Sequence, residues 1–195
     1  MILAVVGSGG KTTLIKKLAA DYRRQGKTVL VTTTTHMFIE ADTLLTDDAE
    51  EILQRLRETG YAMAGVPEGE KIRALSRKTL ETVCAYADVV LVEADGSKHM
   101  PLKFPNVTEP VIPDRVDQII VVWGPHGLHK PAGEVCHRLD LVLRCLGIRE
   151  DTPITQDHVR QLLQEGYLIP LQEQFPHAKI TIYPELKTEK LPDAL

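Results

Sequence analysis

The sequence has few cysteines, few aromatic residues and no long apolar run, and each shortage excludes a class of protein. Its 195 residues include three widely spaced cysteines, which argues against a disulfide framework or a structural zinc site. Aromatic residues make up 5% of the chain, too few for an obvious surface on which nucleic-acid bases would stack. No apolar run is long enough to cross a bilayer, so no membrane association is expected.

An excess of positive charge is also lacking. The formal net charge is −4, from 23 Lys and Arg against 27 Asp and Glu. Binding to DNA or RNA needs a basic surface that neutralises phosphates, so no nucleic-acid partner is expected. The opening residues 1–6 carry no basic leader and run into a glycine, which favours a cytoplasmic protein over a secreted one.

Apolar strand patterns alternate with amphipathic helix patterns along the chain. Strands are predicted at 2–6, 27–33, 61–65, 88–92, 118–123 and 178–183. Helices are predicted at 12–25, 48–59, 71–86, 134–146 and 155–165, and an ordered loop at 96–114. This alternation predicts an α/β fold with a mainly parallel sheet and helices on both faces. Residues 1–195 are interpreted as a single domain, with 124–183 as a possible smaller C-terminal lobe and 184–195 as a loose tail.

A glycine-rich turn between the first strand and the first helix is the most informative stretch. It consists of Gly7, Ser8, Gly9, Gly10, Lys11, Thr12 and Thr13. Glycines let the backbone curl so that successive N–H groups point at one anion, at the positive end of the helix dipole. In such a loop Lys11 reaches the outer phosphates of a nucleotide and the Thr12 hydroxyl binds Mg²⁺. The turn therefore predicts a P-loop NTPase-like domain that binds ATP or GTP with Mg²⁺.

The spacing within this turn departs from the general P-loop pattern. The pattern G-x-x-x-x-G-K-[ST] would place a glycine at position 5, where this sequence has Val5. The shorter loop, G-x-x-G-K-T-T from Gly7, resembles the ATP-binding loop of the Mur ligases. The alternative is a tight turn that binds nothing, which is disfavoured because such a glycine run costs backbone entropy.

Polar residues follow two of the predicted strands, at the end of a parallel sheet where ligands bind. Four threonines at 32–35, followed by His36, stand at the end of the second strand. Glu93 and Asp95 follow the strand at 88–92. We predict that Thr12, Glu93 and Thr34 hold Mg²⁺, and that Asp95 or His36 positions the attacking nucleophile. The alternatives are that threonine simply favours strands, that His36 is a surface histidine and that Asp95 is a turn residue.

The motifs taken together resemble those of the YqeC family. They are the glycine-rich turn, Thr-Thr-Thr-Thr-His-Met at 32–37, Glu-Ala-Asp-Gly-Ser-Lys at 93–98, Pro-Leu-Lys at 101–103 and Glu-Pro-Val-Ile-Pro at 109–113. The resemblance covers at least residues 1–166. Members of that family are described as accessory proteins of selenium-dependent hydroxylases. The resemblance implies a cytoplasmic nucleotide-binding protein involved in the maturation of molybdenum-containing hydroxylases, with a client metalloenzyme as partner.

The resemblance also suggests site residues. By motif match, Lys103, Glu109 and Arg138 would line an unknown partner site. Independently, Lys98 and Lys103 lie in a proline-stiffened loop beside two carboxylates, where they could bind an anionic substrate. The family pattern has an Asn-Lys-x-Asp-like segment after the last strand, where residues 183–187 read Tyr-Pro-Glu-Leu-Lys. That segment would recognise guanine in a GTPase, so the choice between ATP and GTP stays open.

Three functional hypotheses follow. The first is a Mg²⁺-dependent ATP or GTP hydrolase that acts as an accessory factor, with Lys11 stabilising charge on the transferred phosphoryl group. The second is a kinase- or ligase-type transferase that acts on a small anionic substrate. The third is a non-catalytic module that senses nucleotide.

Overall fold

A mostly parallel sheet lies at the centre of the structure, a computed structural model that describes residues 1–186. Its strands are β1 (Ile2–Gly7), β2 (Val29–Thr33), β3 (His36–Phe38), β4 (Leu44–Leu45), β5 (Tyr61–Glu68), β6 (Lys71–Arg73), β7 (Val89–Glu93), β9 (Gln118–Val122) and β11 (Lys179–Tyr183). Two short strands, β8 (Leu102–Lys103) and β10 (Cys136–His137), pair separately with each other. The helices are α1 (Lys11–Arg24), α2 (Ala49–Thr59), α3 (Arg77–Cys84), α4 (Ala132–Val135), α5 (Leu139–Leu146), α6 (Gln156–Leu163) and α7 (Ile169–Gln174).

The order of the strands brings three polar strand ends together. The sheet runs β11-β9-β1-β7-β2-β5-β6-β3, with β4 also on β5, and it is parallel from β11 to β5. Glu93 of β7 lies opposite Val5 of β1 on one side and Thr33 of β2 on the other. Because the three strands are parallel neighbours, the segments that follow them leave the sheet at the same edge.

Two apolar cores cover the two faces of the sheet. Along β1, Leu3 and Val5 face a core that contains Leu14, Ile15 and Ala19 of α1. The intervening residues of β1 face the other core, which contains side chains from α2 to α7. Each fully buried Leu or Ile in these cores contributes roughly 1.5–3 kcal/mol to stability. The predicted α/β fold, with a mainly parallel sheet and helices on both faces, is confirmed, and the antiparallel strands β3 and β6 are an addition at one edge.

Two helix predictions are wrong because tertiary contacts override the apolar spacing. The predicted helix at 71–86 is the strand β6 followed by α3. Ile72 is fully buried where β6 pairs with β5, and Ser76 caps α3 by accepting a hydrogen bond from the Thr79 N–H. The predicted helix at 134–146 is divided into α4, β10 and α5, since Arg138 has a left-handed backbone with φ 61°.

Other differences are smaller. The predicted loop at 96–114 contains β8, and the predicted helix at 155–165 is α6 continued by a π-helical turn at Gln164–Leu168 and by α7. Of the predicted loose tail, residues 187–195 lie outside the described residues.

The first glycine of the turn after β1 is restricted by its neighbour on β9. Gly7 has φ +85°, and a Cβ added there would lie 2.2 Å from the Val122 carbonyl oxygen. We expect Gly7→Ala to destabilise the protein more than Gly60→Ala in urea unfolding. Gly60 has a similar φ of +69° at the end of α2, but the space around it is open. The Gly60→Ala substitution should therefore lower the unfolding free energy by the backbone strain alone, about 1–2 kcal/mol. Equal losses in the two variants would contradict the close approach at Gly7.

Candidate functional site

The glycine-rich turn forms a tight loop between β1 and α1. Gly7, Gly9 and Gly10 all have positive φ, a conformation that other residues rarely adopt. The Ser8 N–H donates to the Val122 carbonyl at 2.9 Å, and the Ser8 hydroxyl donates to the Pro101 carbonyl at 3.0 Å. These contacts fix the loop at the N-terminus of a 14-residue helix, which is the local structure that anion binding by backbone N–H groups requires.

Lys11 folds back over the loop to which it belongs. Its Nζ donates to the Gly7 carbonyl at 2.9 Å and to the Ser97 hydroxyl at 3.1 Å, and the residue is 4% exposed. Burial lowers the pKa of Lys11, while the nearby carboxylates of Glu93 and Asp95 act in the opposite direction. Within residues 1–186 the hydrogen bonds of this buried ammonium go to two neutral oxygens, so it is well suited to bind an anion at the loop.

Thr12 and Glu93 join the start of α1 to the end of β7. The Thr12 hydroxyl donates to Glu93 Oε2 at 2.8 Å. Burial raises the pKa of Glu93, although Lys11 and the Thr12 hydroxyl partly offset that effect. Both residues carry the oxygen donors that Mg²⁺ prefers, and Mg²⁺ commonly takes only one or two protein ligands beside phosphates and water. Among residues 1–186, no three His, Cys, Asp or Glu side chains come together as a metal site, so the fit depends on this pair.

A cleft of about 740 Å³ opens in front of the loop. The glycine-rich loop and the end of β7 contribute part of its lining, namely Gly9, Gly10, Lys11, Thr12, Thr13 and Glu93. The rest of the lining comes mainly from β3, β6, the segment after β7 and the junction of β10 and α5, and includes His36, Phe38, Lys71, Lys98, His137 and Arg138. The volume is within the range of small-molecule sites, about 300–1,000 Å³.

Asp95 lies behind the loop, where it is fully buried. Its Oδ2 accepts hydrogen bonds from the Gly7 N–H at 3.0 Å and from the Tyr167 hydroxyl at 2.8 Å, and its Oδ1 accepts one from Lys103. All of these partners are protein groups, and Asp95 is not among the residues that line the cleft. The arrangement favours a role for Asp95 in positioning the loop over the predicted role in orienting a nucleophile.

A chain of ion pairs connects Asp95 with the cleft. Lys103, whose side chain is fully buried, contacts Asp95 and also lies 2.9 Å from Glu109 Oε2. Arg138 then donates to both oxygens of Glu109, from Nε at 2.9 Å and from Nη2 at 2.8 Å. Of the four predicted substrate or partner residues, Lys98, Glu109 and Arg138 line the cleft, whereas Lys103 lies in the interior.

The threonine run divides between the interior and the cleft. Thr32 and Thr33 are buried and donate to backbone carbonyls, and the Thr34 hydroxyl donates to the Val111 carbonyl. Thr35 lines the cleft in place of the predicted ligand Thr34. His36 also lines the cleft, with its Nε2 lying 2.6 Å from Glu68 Oε2.

Sequence reasoning assigned no role to three residues that the structure brings into the site. Ser97 accepts a hydrogen bond from Lys11, and its position directly after Glu-Ala-Asp-Gly could have suggested this. His137 lines the cleft beside Arg138 and could have been found as its neighbour. Tyr167 gave no signal, because it follows the predicted helix at 155–165 and looks like an ordinary core residue.

The fold and the site define an α/β protein with a mostly parallel sheet and a glycine-rich loop between its central strand β1 and its first helix. Comparison with known proteins identifies the family to which this α/β protein belongs. The family model described as "YqeC protein" matches residues 3–140, and the chain belongs to the YqeC family. This confirms the resemblance inferred from the motifs.

A relative in Escherichia coli (strain K12), named "Uncharacterized protein YqeC", is 33% identical to this chain over 165 residues. The match covers 78% of this chain and 63% of the relative, so the chain spans less than two thirds of that protein's length. Over the described residues, none of the helices combines the length and apolar character needed to cross a membrane.

The ion pairs around Glu109 predict a component of stability that depends on pH. Burial acts to raise the pKa of Glu109, but hydrogen bonds from Arg138 and Lys103 outweigh it and lower that pKa from 4.5 to about 2. Since the folded pKa lies below the unfolded one, this stabilisation is complete above pH 4.5 and is lost as the pH falls toward 2.

We therefore expect the difference in unfolding free energy between wild type and Glu109→Gln to shrink on acidification, as measured by urea unfolding at a series of pH values. Glu81→Gln is the matched control because Glu81 forms an exposed ion pair with Arg77, and solvent-exposed ion pairs contribute little to stability. If the difference in unfolding free energy between wild type and Glu109→Gln stayed constant with pH, the ion pairs with Lys103 and Arg138 would not determine the pKa of the Glu109 carboxyl.

Proposed function

We propose that this protein is a P-loop NTPase-like protein that binds ATP or GTP with Mg²⁺ at the glycine-rich loop and hydrolyses it. One observation carries the proposal: the buried ammonium of Lys11 and the hydrogen-bonded pair Thr12–Glu93 meet at the ends of two adjacent parallel strands, at the mouth of a cleft. Loop N–H groups, a lysine, a hydroxyl and a carboxylate are the groups that phosphoryl transfer requires.

Each group has a distinct role in the proposed reaction. The Gly7 and Ser8 N–H groups bond to Asp95 and Val122, so the N–H groups that follow them in the loop would bind the phosphate oxygens together with Lys11. Lys11 also stabilises the charge that develops on the transferred phosphoryl group. Thr12 and Glu93 would hold Mg²⁺, which neutralises phosphate charge when bound. His36 lines the cleft and remains the candidate that positions water, while Asp95 keeps the first glycine of the loop in place.

The motif resemblance supplies a proposed setting for this chemistry. Binding and hydrolysis of nucleotide would accompany the delivery of a component to a client enzyme, a selenium-dependent molybdenum hydroxylase, in the cytoplasm. In the longer Escherichia coli relative, about a third of the chain lies outside the matched region, so contacts with a client could involve parts that this chain does not match.

A kinase- or ligase-type transferase is the second candidate, and the cations of the cleft favour it. Lys71, Lys98 and Arg138 line the same cleft as the loop. Hydrolysis needs only water beside the nucleotide, whereas further cations in the cleft would suit an anionic substrate that receives or donates a group.

The first test is calorimetric titration of ATP and of GTP, each with Mg²⁺, into wild type and Lys11→Ala. Loss of the charged hydrogen bonds from Lys11 to phosphate is expected to weaken binding by about 10- to 150-fold. Lys17→Ala is the matched control, since Lys17 lies exposed on the same helix and outside the cleft. Unchanged affinity in Lys11→Ala, or binding of neither nucleotide to wild type, would contradict a nucleotide site at this loop.

The second test separates catalysis from nucleotide sensing. Phosphate release by Glu93→Gln should fall by about 10²-fold or more, because the neutral amide cannot supply the charge that Mg²⁺ and the reacting phosphate require. Glu81→Gln, which alters an exposed carboxylate outside the cleft, should retain most of the activity. Tight binding with the same low turnover in wild type and Glu93→Gln would instead indicate a sensing module.

A further inference from the structure

We infer that the cleft binds a second oxyanion, a carboxylate or phosphate group of a small molecule, against Arg138, His137 and Lys98, which line it together with the glycine-rich loop. This inference rests on the proposed function, because it assigns a second ligand to the cleft in which the nucleotide phosphates would bind. It identifies the second ligand by its chemistry, as a small acid or phosphorylated compound.

Arg138 is held in an orientation that leaves donors available. A guanidinium carries five N–H donors, and Glu109 accepts from Nε and Nη2. This bidentate contact fixes the plane of the guanidinium, while the side chain stays 30% exposed and lines the cleft. The remaining N–H groups are thus pre-oriented for an oxyanion, at little further cost in side-chain entropy.

His137 and Arg138 connect the short strand β10 to α5. His137 is opposite Lys103 in the β10–β8 ladder, and Arg138 adopts φ 61° and ψ 54° directly before α5. Such a left-handed conformation is strained for a residue with a side chain. The side chains of both residues line the cleft.

Several charged groups lie near His137. Burial lowers the pKa of its imidazole, and the nearby charges of Lys103, Arg138 and Lys98 lower it further, while Glu109 acts in the opposite direction. Lys103 and Arg138 are paired with Asp95 and Glu109, whereas Lys98 is exposed at the cleft. The Nδ1 of His137 is buried and has no hydrogen-bond partner among the described residues. An oxyanion bound beside these groups would shift the pKa of His137 upward.

The test is a titration of inorganic phosphate, followed through the imidazole NMR signals of His137. One sample is wild type saturated with Mg²⁺ and a non-hydrolysable ATP or GTP analogue, so that the loop is occupied. A second sample is Lys11→Ala without nucleotide, in which the loop is impaired. In both, phosphate is expected to shift the His137 signals and raise its pKa, so the second sample tests this site even if nucleotide binding fails.

Two variants test which residues bind the phosphate. Arg138→Gln should weaken phosphate binding by about tenfold or more and leave the affinity for the nucleotide analogue within about twofold. Lys98→Gln, an exposed position where folding is not at risk, should also weaken it. Arg144→Gln is the control, since Arg144 lies exposed on the same helix, paired with Asp140 and outside the cleft.

Three results would overturn the inference. The first is a His137 signal that phosphate does not move in either sample. The second is a phosphate affinity that equals that of wild type in both the folded Arg138→Gln variant and the Lys98→Gln variant. The third is a loss of affinity for the nucleotide analogue in the Arg138→Gln variant, which would assign Arg138 to the terminal phosphate of the nucleotide.

Discussion

The hydrogen bond from the Gly7 N–H to the carboxylate of Asp95 is the contact on which the site depends. Asp95 is fully buried, so its charge is tolerable only because Lys103 and the Tyr167 hydroxyl also reach it. Lys103 in turn contacts Glu109, and Glu109 holds Arg138 at the cleft wall. The contacts that satisfy one buried charge therefore fix both the glycine-rich loop and, through Glu109, Arg138 at the cleft.

The topology explains why so few residues are enough to build this arrangement. β1 lies between β7 and β9, and β7 lies between β1 and β2. The loop after β1 consequently has Glu93 on one side and the carbonyl of Val122 on the other. The ends of parallel strands are rigid because both faces of the sheet are packed, so side chains there keep their separations without further support.

Local patterns were enough to predict the sheet, the glycine-rich loop and the proximity of Lys11, Thr12 and Glu93. Such patterns record the period of each element and the polar residues at its ends, and parallel packing then brings those ends together. They failed at residues 71–73 and 136–137, where short strands form because partners distant in the sequence are available. The burial of Asp95 and Lys103 could not be foreseen either, because it depends on Tyr167, 72 residues further along the chain.

The π-helical turn at Gln164–Leu168 restricts where this chain can gain or lose residues. A π-helical turn contains one residue more than an α-helical turn, and each residue of a helix advances it by about 100°. Removing one residue between α6 and α7 would therefore rotate Tyr167 away from Asp95. The same turn brings buried Gly166 against Pro105, where an added Cβ would lie 2.9 Å from the proline ring. Insertions and deletions should consequently be tolerated in the exposed connections but excluded from these five residues.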